Sequence, residues 1–85
     1  MMDCTYYLKQ NLLGRNAANI VFSFKEIRAS IFLYRENGRR VNAKSLVGIL
    51  SAHFMEGETI KVLTDDPEEM SRIQSILNEF GTVIP

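Results

Sequence analysis

The chain has 85 residues, 46% of them hydrophobic, with ten basic and ten acidic side chains that cancel to a formal net charge of zero. That balance leaves no general basic surface for nonspecific nucleic-acid binding. The single cysteine, Cys4, excludes an internal disulfide and a cysteine-rich metal site. No apolar run reaches the roughly 18 residues of a membrane helix, and no basic region followed by an apolar stretch opens the chain. The expectation is a cytoplasmic protein with one domain over residues 1–85.

From Met2 to Lys9 apolar and polar residues alternate. Met2, Cys4, Tyr6 and Leu8 lie on one side, the pattern of a half-buried strand, and Cys4 on that side reads as a buried thiol. Asn11 and Gly14 break the pattern, and a helix is predicted from Arg15 to Ile27 with Ala17, Ile20, Val21, Phe24 and Ile27 on its apolar face. Phe22 falls on the opposite face. A second strand covers Ser30 to Arg35. Asn37-Gly38 then marks a hairpin, because both residue types tolerate positive φ, and the return strand runs from Arg40 to Ala43. Ser45 is placed to cap a helix running to Phe54, with Leu46, Ile49 and Leu50 at helical spacing and Gly57 in the turn beyond. Thr59 to Thr64 alternates as a fourth strand. Asp66-Pro67-Glu68-Glu69 has the residues of a helix start with a capping box. Met70, Ile73, Ile76, Leu77 and Phe80 form the buried stripe of that helix, and Gly81 should end it before a short tail.

The order is β-α-β-β-α-β-α, an α+β domain in two layers. Strand phasing puts Tyr7, Phe32, Tyr34 and Leu63 on the sheet face away from the helices, a patch suited to weak homodimerisation. The paired acids Asp65-Asp66 and Glu68-Glu69 are accounted for by capping and a solvated first turn, so no metal or cofactor is expected.

Asn42-Ala-Lys-Ser45, followed by an apolar turn containing Gly48, resembles the regulatory-serine segment of HPr, the small phosphocarrier of the bacterial sugar phosphotransferase system. The resemblance covers nearly the whole chain and implies a four-stranded antiparallel sheet in the order 1-4-2-3 with three helices on one face. In that family a Gly-x-His-Ala-Arg-Pro-Ala junction opens the first helix, and its histidine carries phosphate. The corresponding residues here are Asn11-Leu-Leu-Gly-Arg-Asn-Ala17. Arg15 and Ala17 match, Asn16 replaces the proline, and Leu13, which has no nucleophile, takes the histidine position. The only histidine, His53, falls near the end of the second helix, where the dipole disfavours an anion.

Crh-type members of the family lack the histidine and keep the serine. The resemblance therefore implies a regulatory, non-enzymatic protein of carbon catabolite control, phosphorylated at Ser45 by HPr kinase and bound by a catabolite-control repressor. Carried over residue by residue, the partner surface would comprise Arg15, Ala18, Phe22, Leu46, Val47 and Leu50. Two other readings stay open. One is a phosphocarrier that uses another residue, and the other is an HPr-fold interaction module that is never phosphorylated.

Overall fold

The computed structural model describes residues 2–85. The elements are strand β1 (Met2–Leu8), helix α1 (Gly14–Phe24), strands β2 (Ile31–Tyr34) and β3 (Val41–Asn42), helix α2 (Leu46–Ala52), strand β4 (Thr59–Thr64), a 3-10 turn at Pro67–Glu69 running into helix α3 (Met70–Leu77), and strand β5 (Gly81–Ile84). The strands form one antiparallel sheet in the order β3-β2-β4-β1-β5. The expected order of the first four strands is present. The expected tail is instead a fifth strand paired to the outer edge of β1, with Thr5 opposite Ile84 and Leu8 opposite Gly81.

Alternation in the strands builds the core. Tyr6, Leu8, Ile31, Leu33, Ile60 and Val62 point inward and meet Ala17, Ile20, Val21 and Phe24 of α1, Ile49 of α2, and Met70, Ile73 and Leu77 of α3. Burial of an aliphatic side chain of this kind contributes roughly 1.5–3 kcal/mol. Tyr6 carries a polar group into that layer. Its ring is fully buried, and its hydroxyl reaches Asn78 Oδ1 at 2.9 Å and the Gln74 carbonyl at 3.2 Å. Burial, with a smaller contribution from Cys4, pushes its pKa up to about 12, so the phenol stays a donor. Cys4 is half-buried rather than buried, because it lies toward the open end of β1, with its thiol 3.7 Å from Met70 Sδ. Burial is still the main reason its pKa is raised.

Two local expectations are corrected. The hairpin does not use a tight turn of positive φ at Asn37-Gly38: neither residue has positive φ, and the Gly38 amide bonds the Arg35 carbonyl at 2.8 Å. The connection from Arg35 to Arg40 is long enough for an ordinary turn with glycine at its last position, so the strand twist need not be matched by a mirror-image turn. The capping box before α3 is half made. Asp66 accepts from the Glu68 amide at 3.1 Å, while the Glu69 side chain turns to Arg72 at 3.2 Å.

The open sheet face is also less apolar than its residue types suggest. Leu63 is only 6% exposed, and Phe32 and Tyr34 are half-buried. Register places Asp3, Leu63, Phe32 and Asn42 in one cross-strand row, and Ile84, Thr5, Lys61 and Tyr34 in the next. Tyr7, which is exposed, lies beyond that second row. Lys61 therefore interrupts the expected patch, and Leu63 offers it almost no surface.

Gly81 is the residue that lets β5 approach. A Cβ there would stand 2.4 Å from the Tyr7 carbonyl oxygen, and the clash is with backbone, which cannot swing aside. Gly81→Ala is expected to lower stability by about 1–3 kcal/mol and to remove hydrogen-exchange protection selectively from Thr82 to Ile84. Unchanged protection in β5 would show that the pairing tolerates a side chain at that position.

Candidate functional site

Leu13 precedes α1 in extended conformation and has no side-chain cap, and the helix begins at Gly14 with φ of +53°. The helix start is instead held by the loop before it. Leu12 is fully buried, and its amide bonds the Phe54 carbonyl at 2.9 Å. Asn11 Oδ1 accepts from the Glu56 amide at 2.7 Å. Asn16, which stands where the family pattern has proline, donates its side-chain amide to the Asn11 carbonyl at 2.9 Å and to Gln10 Oε1 at 3.2 Å. Its backbone amide also bonds the Leu13 carbonyl at 3.1 Å, a bond proline could not make. The loop is thus fastened by bonds that a phosphate-accepting imidazole has no part in. Leu13 itself is half-buried, and Arg15 beside it is exposed.

The second segment is built by its polar residues. Asn42 Oδ1 accepts from the Lys44 amide at 2.9 Å, and the Lys44 ammonium bonds the Ile27 carbonyl, tying the exit of α1 to the entry of α2. Ser45 is the cap of α2, with extended backbone and its Oγ accepting from the Gly48 amide at 3.1 Å. The helix begins at Leu46 and stops at Ala52, two residues short of the expected Phe54. A Cβ on Gly48 would meet Ser45 Oγ and Val41 Cγ1, each at 3.2 Å, so glycine lets the helix lie close to β3. Each polar side chain of the Asn-Ala-Lys-Ser segment therefore has a structural bond. The part played by Lys44 has no signature in the sequence, since its partner lies on another element.

The six residues assigned to a partner surface are all exposed. Ala18, Phe22 and Leu46, with Val21 and Lys25, line a groove of about 230 Å³ between α1 and α2. Phe22 is 73% and Val47 75% exposed, with Leu46 and Leu50 at about half those values. Exposure of that degree for large apolar groups is unusual when they adjoin one another. Arg15 lies at the start of the same helix as Phe22.

His53 ends α2 in left-handed conformation, φ 57° and ψ 48°, and is exposed. Its carbonyl, with that of Ala52, accepts from the Arg35 guanidinium. The paired acids also have structural partners: Asp65 accepts from the Ser30 amide at 2.9 Å, and Asp66 caps the 3-10 turn. Among the described residues no three His, Cys, Asp or Glu side chains converge as a metal-binding group.

Comparison with known proteins places these features in a family. The model for the PTS HPr component phosphorylation site matches residues 5–80. The HPr-like protein Crh of Halalkalibacterium halodurans is 31% identical over 70 residues, 82% of either chain. Among solved structures, HPr-C-His from Thermoanaerobacter tengcongensis superposes with a TM-score of 0.81 at 27% identity, over 94% of this chain and 91% of that one. Crh of Bacillus subtilis, described as a domain-swapped dimer, gives 0.69 at 26% identity over 86% of each chain.

The histidine geometry has a stability consequence. A left-handed residue other than glycine or asparagine costs roughly 1 kcal/mol, and the interaction with Arg35 uses only the backbone carbonyl. His53→Gly is expected to raise stability by about 0.5–1 kcal/mol in urea unfolding. A loss of stability would show that the imidazole makes a contact the fold depends on.

Proposed function

Because the chain belongs to the HPr family, whose members are phosphocarrier and regulatory proteins rather than enzymes, we propose that it is a Crh-like regulatory binding protein of the cytoplasm, unable to carry phosphate at the usual histidine position and controlled by phosphorylation of Ser45. The observation that carries this reading is Leu13, a side chain without a nucleophile at the start of α1. His53 does not replace it, since it closes α2 at the carbonyl end, where the helix dipole repels an anion.

Ser45 is suited to a modification that leaves the fold in place. Its Oγ already accepts the Gly48 amide, a role that a phosphoester oxygen keeps. A phosphoryl group adds about −1.5 to −2 charges. At the start of a helix the interaction with the dipole is favourable by roughly 0.3–1 kcal/mol when exposed. That energy is too small to switch the domain between folds, so the effect of phosphorylation falls on binding. Three acceptor oxygens beside Leu46 would join an anion to the apolar ridge of Phe22, Val47 and Leu50. A partner arginine can grip the anion bidentately while its apolar residues cover the ridge. The partners this implies are HPr kinase and a catabolite-control repressor, with Arg15 and Ala18 at the margin of the contact.

Treatment with HPr kinase and ATP is expected to modify Ser45 alone and to tighten binding to the catabolite-control repressor of the same organism about tenfold or more, the worth of a charge-assisted contact. Val47→Ser should weaken that binding without altering the circular dichroism spectrum. If the kinase leaves Ser45 untouched, or the modified protein binds no tighter, the regulatory reading fails and an unphosphorylated interaction module replaces it.

A further inference from the structure

A second concavity lies between the β2–β3 connection and α2. Its volume is about 420 Å³, and Arg39, Arg40, Asn42, Ser45 and Ser51 line it over an apolar floor that includes Val41. Short β3 lets the connection stand away from the helix, and Gly48 keeps the floor low.

The charge in this groove is one-sided. Three arginines border it and, among the described residues, no carboxylate does. Arg35 is already committed to Glu58 and to the carbonyls of Ala52 and His53. Arg39 and Arg40 are exposed, and among the described residues neither is in an ion pair. Arg40 lies over the Tyr34 ring with its guanidinium carbon 5.9 Å from the centroid. Stacking of that kind uses the flat face of the group and leaves its in-plane N–H donors available. The Asn42 side-chain oxygen Oδ1 is occupied by the Lys44 amide, which leaves the side-chain NH₂ as the polar end available to the groove. Guanidinium, amide and hydroxyl donors thus surround a space with no countercharge.

Since the chain as a whole is neutral, this is a local anion site rather than part of a polyanion track. The volume falls within the roughly 300–1,000 Å³ of small-molecule sites, larger than a bare oxyanion needs. Two planar guanidinium forks suit a dianion with three terminal oxygens better than a single carboxylate. We propose that the groove between the β2–β3 connection and α2 binds a phosphomonoester dianion through Arg39 and Arg40. The ester can be a free small molecule or the phosphoryl group of Ser45 itself, whose hydroxyl borders the same space. The binding chemistry holds whether or not Ser45 is modified in the cell.

Two measurements at constant ionic strength test this on the full chain, with Arg39→Gln/Arg40→Gln as the comparison. Both side chains are exposed, so the double variant should fold. In the first, glycerol 3-phosphate is titrated into the unmodified protein and backbone amide shifts are followed by NMR. A free ligand predicts saturable shifts confined to residues 39–51, with affinity about tenfold or more weaker in the double variant, the loss of a charge-assisted contact. In the second, phosphoserine is installed at position 45 by genetic encoding, independently of any kinase, and its ³¹P resonance is titrated. A free phosphoserine has its second pKa near about 6. Engagement in cis predicts a lower value in the wild-type background than in the double variant, together with loss of the glycerol 3-phosphate shifts. Either pattern supports the proposal and identifies the source of the ester. Shifts that never saturate, or that the double variant leaves unchanged, together with a phosphoserine that titrates alike in both backgrounds, overturn it.

Discussion

The bidentate pair between Arg35 and Glu58 holds together the end of the molecule on which α2 depends. Arg35 Nε and Nη2 meet the two carboxylate oxygens of Glu58 at 2.5 and 3.0 Å. The same Nη2 also closes the carbonyls of Ala52 and His53 at 3.0 and 3.1 Å, and the guanidinium stacks over Phe54, 4.8 Å from the ring centroid. Glu58 in turn accepts from the Met55 amide at 2.7 Å. One ion pair therefore joins the end of β2, the last turn of α2, the turn after it and the entry to β4. The hydrogen bond from Arg35 is the main reason Glu58 is held below the usual carboxylate range. A carboxyl with a depressed pKa contributes stability above its ordinary value near 4.5, and that contribution is lost as the pH falls through its lower value in the folded protein. Both side chains are partly exposed, so the pair matters more for fixing geometry than for its Coulomb energy.

That geometry sets what the surface can do. A helix of seven residues has little stability of its own. It is held at one end by Ser45 and at the other by Arg35, with Ile49 in the core between them. The exposed faces of Leu46, Val47 and Leu50 are thereby presented rigidly beside Phe22. The loop before α1 is fixed just as firmly by Asn11 and Asn16. The HPr frame is preserved around Leu13 by contacts that do not need a histidine, and Phe22, Leu46, Val47 and Leu50 stay exposed on it.

Much of this was legible in the residue pattern. Period-two alternation marked β1 and β4, helical spacing marked the core faces of α1 and α3, and the hydroxyl of Ser45 and the Asp66-Pro67 pair marked two helix starts. What could not be read depended on partners distant in sequence. The fifth strand was hidden because Gly81 reads as a helix stop, although its real constraint is the approach of the Tyr7 carbonyl. The β-branched Thr82, Val83 and Ile84 were the available signal. Leu63 alternates outward yet is covered, since its exposure is decided by its neighbours in the cross-strand row rather than by phase. The Arg35–Glu58 pair spans 23 residues, and nothing local distinguishes either residue. For the candidate site, the capping place of Ser45 followed from residue type and helical spacing, and the residues of the exposed ridge came from the family resemblance. The structural uses of Asn16 and Lys44 followed only from where the chain folds back.

The central claim is that this HPr frame has exchanged the histidine acceptor for control through the serine. It is tested most directly by asking which residue takes a phosphoryl group when both donors are supplied. The purified protein would be incubated in parallel with enzyme I and phosphoenolpyruvate, and with HPr kinase and ATP, and each product analysed by intact mass and by acid lability. The account predicts no modification in the first reaction and one acid-stable phosphoryl group, located on Ser45, in the second. An acid-labile phosphoryl group transferred from enzyme I, and lost on changing His53, would contradict it.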